Sequence, residues 1–119
     1  MTNPVMHFEV MGKNAIALQK FYHDVFGWKL TPPQPEFGNY SLLENEGTGE
    51  KGIGGGIGEG DPRVTVYVEV DDPQAYLDKA VKLGAKMLMP VTTIMEGTTI
   101  AMFADPEGNI TGLLKAMPR

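Results

Sequence analysis

Apolar and polar side chains alternate along Met6-His7-Phe8-Glu9-Val10, the period-two signature of a strand with one buried face. About sixty residues later the pattern returns in Val66-Tyr67-Val68-Glu69-Val70, with Glu69 in the place of Glu9. Each predicted strand is followed by a turn and a stretch of helical periodicity. In the first half Asn14 suits an N-cap, and Ala15, Leu18, Tyr22, Val25 and Phe26 recur at helical spacing until Gly27 closes the helix. In the second half Asp72 caps, Pro73 takes the first helical position, and Leu77, Ala80 and Val81 form one face before Gly84.

Three further strand candidates follow each helix. In the first half they are Trp28-Lys29-Leu30, Tyr40 to Glu44 and Ile53 to Ile57; in the second, Lys86 to Met89, Thr98 to Phe103 and Ile110 to Leu114. The order strand, helix, strand, strand, strand thus occurs twice. One such unit of roughly 55 residues leaves too much surface exposed to be stable alone. The pattern predicts an α+β fold: paired βαβββ modules, about 4–60 and 61–117, in a single domain spanning 1–119. The modules are expected to form one curved mixed sheet, a half-barrel with helices on its convex face and a ligand cleft on its concave face.

Composition narrows the function. The chain has 119 residues and a net charge of −5, with its ten basic residues scattered, whereas a nucleic-acid surface gathers lysine and arginine into a patch. No nucleic-acid partner is expected. No run reaches the roughly 18 apolar residues that cross a bilayer, so no membrane partner is expected either. There is no cysteine, which excludes disulfides, thiolate-held zinc and a thiol nucleophile. The opening Met1-Thr2-Asn3-Pro4 has no basic stretch followed by an apolar one, and the expected address is cytoplasmic.

Two motifs carry a resemblance. Phe21-Tyr22-His23-Asp24-Val25-Phe26-Gly27-Trp28-Lys29 and Ala104-Asp105-Pro106-Glu107-Gly108-Asn109 resemble the vicinal oxygen chelate superfamily, which includes glyoxalase I, bleomycin-resistance proteins and extradiol dioxygenases. The likeness extends from about Val5 to Lys115. It implies the paired modules, a small organic ligand and a homodimer. In metal-dependent members each module offers one ligand from its first strand and one from its last, typically histidine and glutamate. The matching positions here are His7 and Gly54 or Gly55 in the first half, and Tyr67 and Gly112 in the second. Glycine offers no side chain, and a phenol that ionises near pH 10 is a poor ligand for most divalent ions, iron excepted. A catalytic zinc site usually has three protein ligands. No metal or other cofactor is therefore expected, with a divalent metal as the alternative if Glu44, Glu46 or Glu59 completes a site.

The ligand-binding candidates are His7, Glu9, Tyr40, Tyr67, Glu69 and Met102. His7 and Glu9 are placed in the cleft, and Phe8 and Val10 under the helix. His7 suits a polar contact or general base, or else a hydrogen-bonded relic. Glu9 and Glu69 could share a proton across the two halves, or merely accept hydrogen bonds. Tyr40 and Tyr67, with Met11, Met87 and Met102, offer aromatic and pliable walls, with plain core packing as the competing reading. Trp28 is expected as a wedge between helix and sheet, and His23 as a solvent-facing residue. Gly54-Gly55-Gly56 lacks the Lys-Ser/Thr of a phosphate loop and reads as a bare strand that opens the pocket or admits another backbone. Thr31 to Glu36 reads as a stiff rim loop.

The leading function is ligand binding of the bleomycin-resistance type without the usual metal. The alternatives are a lyase, isomerase or dioxygenase with an unorthodox or metal-free site, and a structural or regulatory dimer that binds a protein.

Overall fold

The computed structural model describes residues 2–44, 48–49, 52–94 and 97–116. Contacts divide the chain into two units, His7–Thr65 and Met1–Met6 with Val66–Arg119. Among the described residues there are seven strands and two α-helices, and parallel and antiparallel pairs mix in each unit, as an α+β fold requires.

In the first unit β1 (Val5–Gly12) runs parallel to β3 (Gly54–Glu59), and β2 (Ser41–Leu42) pairs antiparallel with β3. Between them α1 (Ala15–Phe26) starts where Asn14 Oδ1 accepts the Ala17 amide at 3.1 Å. It ends at Gly27, whose φ of 73° is the left-handed conformation that glycine adopts without a Cβ penalty. The helix lies on the Phe8/Val10 side of β1. Val10 is buried, and a Cβ at Gly12 would come within 2.9 Å of Leu18. Trp28 wedges as expected, its ring stacked on Tyr22 at 5.4 Å and tilted against Phe8 of β1 at 5.5 Å.

One expectation fails here. Trp28-Lys29-Leu30 does not form a strand; Leu30 makes only an isolated bridge to Leu43. Pro32, Pro33 and Pro35 supply no amide hydrogens, so the ladder survives in pieces, such as Thr31 N–H to Leu42 O at 2.8 Å and Glu44 N–H to Lys29 O at 2.7 Å. Val25 and Phe26 keep the helical spacing and are 54% and 59% exposed. The buried positions of α1 are Ala15 and Gln19.

The second unit keeps the full pattern. β4 (Arg63–Val70) is parallel to β7 (Ile110–Lys115), and β6 (Thr98–Ala104) lies antiparallel between β7 and β5 (Lys86–Ile94). Asp72 caps α2 (Pro73–Lys82), and Leu77 docks the helix into a cluster with Val70, Ala101 and Leu113. The Asp105 to Asn109 turn closes on itself. Asp105 Oδ1 accepts the amides of Glu107 and Asn109 at 2.9 and 2.8 Å, and Gly108 takes the left-handed conformation at φ 91°. These bonds, the Asn109 side chain foremost, hold the Asp105 carboxyl below its ordinary range.

Candidate functional site

The polar face of the first unit follows from strand alternation. His7, Glu9 and Met11 project from β1 opposite Phe8 and Val10, in register with Gly54, Gly56 and Gly58 of β3. Three glycines in a row leave that strip of β3 bare. Most of it is filled from elsewhere in the chain. A Cβ at Gly58 would come within 2.5 Å of Tyr40 Cδ2, and one at Gly56 would collide with the Tyr40 ring and hydroxyl. The Tyr40 ring therefore lies along β3, and its hydroxyl reaches His7 Nε2 at 3.2 Å. Gly54, the register partner of His7, has no described atom within 4 Å of the Cβ position. The bare strand thus admits a tyrosine ring at two positions and stays open only at the third.

Burial pushes the His7 imidazole below its ordinary value, partly opposed by the charge of Glu9. Burial thus favours the neutral form of the ring. Glu9 itself is buried, and its Oε2 meets Arg63 Nη2 at 3.1 Å. The same guanidinium bonds the Thr65 hydroxyl through Nη1. The carboxylate and the guanidinium thus form a buried charged pair.

The corresponding face of the second unit is apolar. Tyr67 and Gly112 are register partners, and the Tyr67 ring covers Gly112 so closely that a Cβ there would collide with it. Met102 is the neighbour of Gly112 on β6, and Tyr67, Met102 and Ile100 form a buried cluster edged by Met89, Ile94, Ile110 and Leu114. Tyr67 and Met102 are only 5% and 6% exposed. Glu69 is half-buried, opposite Leu114, and its amide donates to Pro4 O at 2.8 Å. Of the six candidates, then, His7, Glu9 and Tyr40 share one polar face of the first unit. Tyr67 and Met102 sit in the apolar cluster of the second, with Glu69 on the adjoining strand position.

The ligand positions implied by the superfamily fall on the register pairs His7/Gly54 and Tyr67/Gly112. Together they offer one imidazole and one phenol, and the Tyr67 ring occupies the space that a side chain at 112 would need. Glu44 and Glu59 are exposed, and Glu46 lies outside the described residues. Among the described residues no group of three or more His, Cys, Asp or Glu side chains is placed to hold a metal ion. These residues do not fit the superfamily's metal centre.

Several residues matter that the sequence did not mark. Arg63 is the partner of Glu9, and the Gly38-Asn39 turn, at φ 66° and 52°, aims Tyr40. Gln19 is a buried amide donating to two backbone carbonyls; a polar residue among Ala15, Leu18 and Tyr22 was the available signal. His23 is exposed as expected, and its Nδ1–H donates to Trp28 O at 2.7 Å. Of the proposed methionine walls, Met87 is 49% exposed. A shallow groove of about 560 Å³ lies apart from His7, between α1 residues such as Lys20 and His23 and the rim from Lys29 to Pro33.

The profile of the glyoxalase-like domain family matches residues 9–114. A protein of Mycobacterium bovis, provisionally named the glyoxylase CFP32, is 34% identical over 106 residues, covering 84% of this chain and 41% of its own length. Its Mycobacterium tuberculosis counterpart gives the same figures. The chain thus spans about two fifths of the length of these curated relatives. Among solved structures, methylmalonyl-CoA epimerase from M. tuberculosis superposes with a TM-score of 0.71 at 14% identity, covering 96% of this chain and 88% of that one. A variant of the Streptomyces coelicolor methylmalonyl-CoA epimerase, in complex with 2-nitronate-propionyl-CoA, gives 0.69 at 16%, covering 99% and 100%. At such identities the likeness establishes the fold alone. The matched span, nearly the whole sequence, shows that this chain belongs to the glyoxalase-like domain family of the vicinal oxygen chelate superfamily.

Proposed function

We propose that the chain is a small-molecule-binding protein of the glyoxalase and bleomycin-resistance type that works without the superfamily's metal centre. The observation that carries this reading is the pairing of His7 with Gly54 and of Tyr67 with Gly112, where donor side chains would be required. The ligand seat is the face bearing His7, Glu9 and Tyr40. The opening above Gly54 receives a small group, and the neutral imidazole and the phenol hydroxyl supply hydrogen bonds. Few, well-placed polar groups beside apolar surface are the usual make-up of such seats. A cytoplasmic homodimer is the proposed working form; the exposed Phe21, Val25 and Phe26 of α1 favour self-association. Equilibrium dialysis against aromatic metabolites and acyl thioesters, with chelator present, tests the reading. Saturable binding weakened by Gly54→Val supports it, and uniform silence across the set overturns it.

A second reading, a metal-free isomerase, is favoured by the His7–Tyr40 pair. A neutral imidazole can take a proton from a carbon beside a carbonyl, and a phenol hydroxyl can hydrogen-bond the carbonyl oxygen as it gains charge. The solved epimerases act on a CoA thioester, which makes acyl thioesters the natural trial substrates. Deuterium wash-in at the α-carbon in D2O, lost in His7→Asn, separates this reading from simple binding.

A further inference from the structure

Gln19 is a buried polar residue on the helix face where an aliphatic side chain would dock as well. Its Nε2 donates to Asn39 O at 2.8 Å and to Ile57 O at 2.9 Å. Both carbonyls belong to backbone that fixes Tyr40. Asn39 is its immediate predecessor, and Ile57 lies between Gly56 and Gly58, the two residues beneath the ring. Asn39 is also, among the described residues, the one non-glycine with positive φ, at 52°, directly after Gly38 at 66°. A non-glycine residue in the left-handed region is costly unless its surroundings hold it, and the Gln19 amide ties Asn39 to β3.

We infer that Gln19 is the positioning residue of the His7–Tyr40 pair: beside the Glu59 N–H bond to Gly38 O at 2.9 Å, its side-chain amide clamps Asn39 to β3 and so lays the Tyr40 ring along the glycine strip with its hydroxyl at His7. The inference rests on the proposal that this face is the ligand seat, and it deepens it. Gln19 acts through Tyr40 and lies on the α1 side of the sheet. A purely structural role in docking α1 would look different, because it would alter stability without altering the surroundings of His7.

The test reads His7 directly. The chain has two histidines, and comparison with His23→Gln assigns the His7 signal. Gln19→Met keeps the length and removes both donations. Asn39→Ala disturbs the same turn without touching the helix. In both, the NOE between the Tyr40 and His7 rings is expected to be lost as Tyr40 moves off, and a ¹³C-labelled Tyr40 ring should show a shifted resonance. Leu77→Ala, which unsettles the second unit, should leave both signals in place. If Gln19→Met does not fold, Asn39→Ala carries the comparison. A folded variant with lowered melting temperature but unchanged His7 and Tyr40 signals overturns the inference. Neither readout involves a ligand, so failure of the ligand-binding reading would be seen separately.

Discussion

The two units solve the same local problem with different chemistry. Each runs a glycine of its last strand beside its first strand, and each covers glycine with a tyrosine ring. In the second unit the ring comes from the first strand itself. Tyr67 needs no long-range placement, and Met102 and Ile100 close around it. In the first unit the ring arrives from a loop, Tyr40 depends on the Gly38-Asn39 turn and Gln19, and its hydroxyl meets a histidine. One face is a packed core; the other is a polar surface with an opening at Gly54. The difference teaches that one scaffold can carry glycine at the family's ligand positions in two ways. In the second unit packing fills the space; in the first an opening remains at Gly54, the seat proposed above.

Restoring a carboxylate at each glycine should break the symmetry most sharply. Gly112→Glu drives a side chain into the Tyr67 ring and buries a charge, and should cost about 4 kcal/mol or more in chemical denaturation. Gly54→Glu points into open space at a strand position of ordinary φ and should stay within about 0.5–1 kcal/mol of the parent. Equal losses would refute the contrast. Next in size, Tyr67→Ala should cost about 3–5 kcal/mol, as for large aromatic truncations in cores. Tyr40→Phe should cost about 1 kcal/mol, the scale of one hydrogen bond. Arg63→Met falls between them at about 2–3 kcal/mol, because it strips the guanidinium from a buried Glu9 carboxylate.

The smallest effect is a pH dependence. Because the His7 pKa is lowered on folding, the unfolded chain takes up its proton first as pH falls. Stability is then complete above pH 6.5 and declines as pH drops below that value and through the folded one. Melting temperatures measured from pH 8 to 5 should show this decline in the parent and a flatter profile in His7→Asn. An identical slope in both would remove His7 from the account.

Much of this was legible in the sequence because it is local. The caps at Asn14 and Asp72, the stops at Gly27 and Gly84 and the Asp105 turn each depend on residues within a few positions of one another. The family resemblance implies both pairs of ligand positions, with Gly54 or Gly55 open in the first, and strand alternation puts His7 and Glu9 on one face. The rest depends on distant partners. Nothing near Tyr40 announces that its ring lies over Gly56 and Gly58, and nothing near Glu9 announces Arg63. The prolines after Leu30 signal a broken ladder, and hydrophobicity at Trp28 and Leu30 alone imitates a strand. Val25 and Phe26 fit a helical period and still face outward, since period alone does not say how wide the buried stripe is.

The account stands on the claim that His7, Tyr67 and two glycines do not form a metal centre. The most direct measurement is elemental analysis of untagged protein purified without chelator, paired with calorimetric titration of zinc, nickel, magnesium and iron. The account predicts far less than one equivalent of any metal, no saturable uptake, and ligand binding indifferent to chelator. One tightly held metal per chain, with ligand binding abolished by its removal, would contradict it.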